Sequence, residues 1–171
     1  MPIFTTGATW RIERPHTLVV ACSDGRLQVQ IDEFLREGLG VQEYDRLYLP
    51  GGPGALATSG DEFARSERAT SELTFLLDAH KIESVLLLFH GPGPGGPRGS
   101  VCADYARKLR HDDPARVRQQ QEADAGEVLR RVFAFRKVEV RALFCDVRED
   151  LALDIVEYDL GKGRAVRHTM V

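Results

Sequence analysis

"VVACSDGRLQ", residues 19–28, is the stretch whose reading decides the fold. With Thr17 and Leu18 before it, it completes the apolar, β-branched run "TLVVAC", which predicts a buried strand over Thr17–Cys22. A strand apolar on both faces belongs to a parallel sheet covered by helices. Directly after it, a thiol, a carboxylate and a guanidinium occupy alternate positions, Cys22, Asp24 and Arg26. Such a stretch is either a metal-and-proton site at a strand end or an ordinary polar turn.

Working outward, the same strand grammar recurs. "QIDEFLREGLG" has helical spacing and stops at Gly38 and Gly40, and "DRLYLPGG" is a short strand broken by Pro50 and two glycines. "EFARSERATSELTFLLDAHKI" predicts a long amphipathic helix with Phe63, Ala69, Leu73, Leu76 and Leu77 on one face. "ESVLLLFH" is the most apolar strand and ends in His90; the Gly/Pro run "GPGPGGPRGS" follows. Next come a short helix in "VCADYARKLRHD" with Ser100 as its cap, and a helix opened by Pro114. "KVEVRALFCDV" predicts a strand, and the tail from Leu151 predicts a hairpin turning at Gly161-Lys162-Gly163. The expected fold class is α/β: a mostly parallel central sheet with helices on both faces and a C-terminal antiparallel edge hairpin, in one domain over residues 1–171.

The bulk numbers exclude several functions. A net charge of -3 gives no general footprint for nucleic acid or an anionic membrane. The arginine-rich "RKLRHDDPARVRQQQ" is interleaved with acids and reads as a solvated helix face. No apolar run reaches bilayer length, and the N-terminus lacks the pattern of a secretory signal, so a cytoplasmic location is expected. Three cysteines argue against a disulfide framework and leave reduced thiols as ligands or nucleophiles.

In an open parallel sheet, chemistry gathers at the carboxyl ends of the strands. Cys22 ends the first strand, Pro50–Gly54 follow the second and His90 ends the third, so three strands deliver unusual residues to one edge. Cys22, His90 and Cys102 together form a two-thiolate, one-imidazole set that suits zinc and leaves a fourth position open. Asp24 and Arg26 then act beside the metal as a carboxylate oriented by a guanidinium; Asp24 could also bind the metal and close the site. Taken singly, each residue has a plainer reading: Cys22 and Cys102 as core thiols, His90 as a histidine bonded in its loop, Asp24–Arg26 as a turn-capping ion pair. Cys145, flanked by Phe144 and Val147, reads as core. Arg98, Gly99 and Ser100, at the end of the Gly/Pro run and before a helix, offer a weak anion cradle; the simpler reading is a surface loop. A thiol nucleophile at Cys102 or Cys22 is a further reading.

"ACSDGR" resembles the Cys-x-Asp-x-Arg motif of the β-class carbonic anhydrases. "SELTFLLDAHKIESVLLLFH" resembles that family's helix and strand ending in a histidine ligand, and "YDLGKGR" its C-terminal strand and turn. The resemblance implies Cys22 and His90 as zinc ligands and Asp24 and Arg26 as a catalytic dyad. It also implies reversible hydration of carbon dioxide to bicarbonate, or hydrolysis of a similar small substrate, by a homodimer or larger homo-oligomer. Where the family has His-x-x-Cys, residues 91–101 separate His90 from Cys102, so the chain resembles a diverged member with a Gly/Pro-rich insertion. "PGGPG" stands where the family has Arg-Asn-Ala-Gly. The alternative function is a non-catalytic relative that binds an anion or a partner through the Gly-rich loop, its metal weak or absent.

Overall fold

A computed structural model of the chain describes residues 1–59, 63–159 and 164–166, without the side chains of 159 and 164–166. The apolar runs become strands β1 (Thr17–Cys22), β2 (Asp45–Leu49), β3 (Ser84–Pro92), β4 (Glu139–Val147), β5 (Leu153–Asp159) and β6 (Arg164–Val166). They form one six-stranded sheet in the order β2-β1-β3-β4-β5-β6. β2, β1, β3 and β4 are parallel, and β5 and β6 close the edge antiparallel. The glycines expected to turn the terminal hairpin lie outside the described residues.

The central strands are apolar on both faces because both faces are covered. Leu18, Val19 and Val20 of β1, and Val85 and Leu87 of β3, have no exposed surface; each such side chain stabilises the fold by about 1.5–3 kcal/mol. Helix α1 (Gln28–Glu33) continues into a π-helical turn, and Phe34 of that turn lines a groove with Leu143 of β4. On the opposite face, Phe89 and Phe144 stack at 5.0 Å, and Arg118 of α4 (Pro114–Val128) stands 4.4 Å from the Phe144 ring centre. Asp113 caps α4 by accepting the Arg116 amide at 2.9 Å, with Pro114 in the first turn, where its missing N–H costs nothing.

Helix α2 (Phe63–His80) forms where expected, but its buried stripe is Ser66, Ala69, Leu73 and Leu77, and Phe63 is exposed. Ser66 fits the stripe because its hydroxyl donates to the Leu56 carbonyl at 3.2 Å and accepts from Arg131. His90 does not end β3, since its ladder to β4 continues through Gly91 and Pro92. Ser100 is not the cap of α3 (Ala103–Leu109): Cys102 holds the N-cap position, and the Ser100 hydroxyl donates to the Pro97 carbonyl at 2.7 Å. The arginine-rich segment is not a wholly solvated face either. The Lys108 side chain, Val117 and Gln121 from it are buried.

Candidate metal centre

β2 lies on one side of β1 and β3 on the other, so the chain reverses its winding between β1 and β3. A crevice opens at such a switch point, at the carboxyl ends of the strands. Cys22 is the last residue of β1, and His90 lies near the end of β3. Cys102 comes from the N-cap of α3, beyond the Gly/Pro run.

That run returns the chain to the site in short steps. Gly93 donates to the Val147 carbonyl at 2.9 Å, and Gly96 to Gly93 at 2.9 Å. A 3-10 turn over Arg98–Ser100 then leads to Val101 and Cys102. A side chain at Gly96 would run into the Val147 carbonyl, so the turn requires glycine there.

The ligand atoms of Cys22, His90 and Cys102 lie within 4.8 Å of one another, and all three residues are buried. Tetrahedral zinc with bonds of about 2.3 Å separates two sulfurs by about 3.8 Å, so a small contraction would seat it. The His90 Nε2 is buried with no hydrogen-bond partner. An orphaned buried nitrogen beside two thiols is what a metal ligand set leaves when its ion is removed. The Cys22 thiol is pushed down because the Cys102 S–H donates to its sulfur and His90 stands beside it, against the opposing effect of burial. Cys102 is pushed up by that same hydrogen bond and by burial. Cys22 is therefore the more acidic thiol of the pair, and a metal held by both sulfurs would displace their remaining protons. The donor set fits zinc.

Cys145 is not in this group. It sits in β4 opposite His90, fully buried, where burial pushes its thiol up to about 12. All three cysteines are free.

Two residues past Cys22, Arg26 clasps Asp24. The guanidinium Nε donates at 2.9 and 3.1 Å and Nη2 at 2.5 Å, while the Arg26 amide adds a fourth bond at 3.1 Å. This clasp, above all its side-chain bonds, holds the Asp24 carboxyl down to about 2. Arg26 also donates from Nη1 to the Gly99 carbonyl at 3.3 Å, tying the dyad to the loop that carries Cys102. The residues of the weak anion cradle are all engaged within the chain. Arg98 pairs with Asp112 at 2.5 Å, Gly99 offers its carbonyl to Arg26, and Ser100 bonds Pro97.

The turn Pro50–Gly54 packs directly on the strand ends. Gly52 has φ +57, and a Cβ there would stand 2.8 Å from the Cys22 amide nitrogen and 3.2 Å from the Leu88 carbonyl. The glycines of "PGGPG" thus serve close approach to the site. The sequence reading missed two supports. Gln121 donates to the His90 carbonyl at 2.9 Å, and Tyr105 and Lys108 of α3 meet Asp124 of α4 in the interior. Only the helical spacing of Gln121 from the core residues Val117 and Ala125 hinted at burial.

No family model and no curated protein matches this chain. Solved structures do match. The β-carbonic anhydrase CcaA superposes with a TM-score of 0.52 at 14% identity, over 92% of this chain and 79% of that one. The fold is that of the β-carbonic anhydrases. The β-carbonic anhydrase CafA of Aspergillus fumigatus gives 0.45 at 15% identity, over 91% and 76% of the two chains. Isoform I from Trichomonas vaginalis gives 0.48 at 13%, over 90% and 87%. The Cys22–His90–Cys102 group stands at the switch point of a β-carbonic anhydrase fold. Among the described residues, no helix is long and apolar enough to cross a membrane.

Proposed function

We propose that the chain is a zinc enzyme of the β-carbonic anhydrase type, interconverting carbon dioxide and bicarbonate or hydrolysing a similar small substrate. The observation that carries this reading is the buried Cys22–His90–Cys102 group with the Asp24–Arg26 pair beside it. Cys22, His90 and Cys102 would hold the ion. Zinc supplies a nucleophile from water near neutral pH, by lowering that water's pKa to about 7. The chain's own residues then orient the reaction. Arg26 holds the Asp24 carboxyl low, so Asp24 acts as a hydrogen-bond acceptor and fixes the attacking water by accepting a hydrogen bond from it. Arg26 keeps that carboxylate charged and aimed, and through Gly99 it couples the dyad to the Cys102 loop.

The reading extends to assembly and location. Ile3, Phe4, Trp10 and Ile12 of the N-terminal arm are almost fully exposed, which supports a homodimer or larger homo-oligomer that covers them. Light scattering of the purified protein tests this; a monomer at micromolar concentration rejects it. Three free thiols fit a reducing, cytoplasmic setting.

Metal analysis of protein purified without chelator is expected to give one zinc per chain, and stopped-flow mixing with carbon dioxide to show hydration. Absence of metal rejects the reading. Full zinc with no hydration rejects carbon dioxide as substrate.

A further inference from the structure

Behind the metal ligands lies a second cluster of polar groups that the proposed chemistry does not use. Asp124 of α4 is 1% exposed. Its Oδ2 accepts from the Tyr105 hydroxyl at 2.8 Å and from Lys108 Nζ at 3.2 Å, and its Oδ1 accepts from Gln120 Nε2 at 2.7 Å. Lys108 Nζ also donates to the Gly54 carbonyl at 3.2 Å and stands 5.3 Å from the Tyr105 ring centre. The Lys108 side chain is 3% exposed. An ion pair this deep is expensive to desolvate, and well-packed apolar residues would often serve stability as well.

What distinguishes the cluster is the set of parts it joins. Tyr105 and Lys108 lie on the helix whose N-cap is Cys102, and the Cys102 carbonyl accepts the Ala106 amide at 3.0 Å. Gly54 belongs to the turn that Gly52 presses onto the Cys22 amide, and a side chain at Gly54 would run into the Tyr105 hydroxyl. Asp124 is also one turn of α4 from Gln121, which holds the His90 carbonyl. The cluster therefore connects the supports of all three ligands.

We infer that Asp124, Lys108 and Tyr105 are positioning residues that set the distance of Cys102 from Cys22 and His90, and hence metal affinity and coordination geometry. The inference rests on the metal reading above. Partners one step behind a ligand typically change metal affinity 10- to 100-fold when removed.

Cobalt(II) is the probe, because zinc is spectroscopically silent whereas cobalt bound by thiolates shows ligand-field and sulfur charge-transfer bands. Cobalt spectra and zinc competition against a chelator would be measured for the wild-type chain, Tyr105→Phe, Lys108→Met and, as a distant control, Arg136→Leu, which frees Thr74 on α2. Tyr105→Phe removes one oxygen and is the variant most certain to fold. The expected result is shifted cobalt bands and a 10- to 100-fold loss of zinc affinity in Tyr105→Phe and Lys108→Met, with both readouts unchanged in Arg136→Leu. Wild-type bands and affinity in Tyr105→Phe and Lys108→Met, whatever their melting temperatures, would overturn the inference and leave the metal reading standing. A wild-type protein that binds neither cobalt nor zinc overturns both.

Discussion

Two aspartate ion pairs flank the ligand group, and they differ in nearly every physical respect. Asp24–Arg26 lies just beyond Cys22 on the solvent side, with side chains 21% and 68% exposed; Asp124–Lys108 lies in the interior, at 1% and 3%. The outer pair is local, two residues apart in sequence, so its geometry follows from one turn. The inner pair joins two helices, and it exists only when α3 and α4 have docked. Water screens the outer pair, which therefore adds little to stability but stays available to a substrate. The inner pair is unscreened, so losing one member strands a buried charge. On the proposed reading, position relative to solvent gives one carboxylate to chemistry and the other to construction.

The largest effect that separates them is on stability. Asp124→Ala leaves Lys108 without its counter-charge and should lower the unfolding free energy by about 3–5 kcal/mol in urea titration. A loss below about 1 kcal/mol would make the inner pair equivalent to the outer one and break the contrast. The reverse holds for activity. Asp24→Asn should reduce carbon dioxide hydration by about 100-fold or more, roughly 2.7 kcal/mol of barrier, with unfolding changed by less than about 1 kcal/mol. Stopped-flow rates on folded, zinc-loaded variant protein decide it; near wild-type turnover would remove Asp24 from the mechanism.

A smaller effect tests the turn that packs on the Cys22 backbone and accepts from Lys108. Gly52 has φ +57, and an added methyl group meets the Cys22 amide at 2.8 Å and the Leu88 carbonyl at 3.2 Å. Gly52→Ala should cost on the order of 1–3 kcal/mol from the left-handed backbone and the contact together. Because the contact falls on the Cys22 backbone, zinc affinity should fall with stability in the same variant. Thermal melts of the apo and zinc forms separate the two losses.

The outer half of this arrangement was legible in the sequence because it is written locally. Cys22 ends an unbroken apolar run, and Asp24 and Arg26 follow at alternate positions, so the strand end and its clasp are adjacent letters. His90 was legible as the polar residue beside the longest aliphatic run, although the ladder carries on to Pro92. Cys102 could be named as the third member, but the path of residues 91–101 depends on Gly93 and Gly96 folding onto Val147, a contact with a distant strand that no local pattern records. The inner half was hidden for the opposite reason. Lys108 and Asp124 stand among arginines, acids and glutamines, and averaged over a window those letters describe a solvated helix face. Their burial comes from the docking of α3 against α4 and the Gly54 turn. Composition also hid Ser66, a polar residue on the buried stripe of α2, and favoured Phe63, which points to solvent.

The smallest effect sharpens the comparison through pH. Arg26 holds the folded Asp24 carboxyl down to about 2, below its ordinary value of 3.8. A carboxyl lowered on folding stabilises the protein above its unfolded pKa and loses that contribution as pH falls through the folded value. The contribution of the outer pair should therefore be constant from neutral pH to about 5 and fade between about 4 and 2. Urea midpoints of wild type and Asp24→Asn, measured in low salt, should differ by a fixed amount equivalent to less than about 1 kcal/mol down to pH 5 and converge as pH approaches 2. High salt should shrink the gap at every pH, because the guanidinium is 68% exposed. A gap that widened on acidification would mean that protonated Asp24 is the form the fold prefers. Asp24 would then be a donor at the mouth of the site, and the assignment of chemistry to the outer carboxylate would have to be reversed.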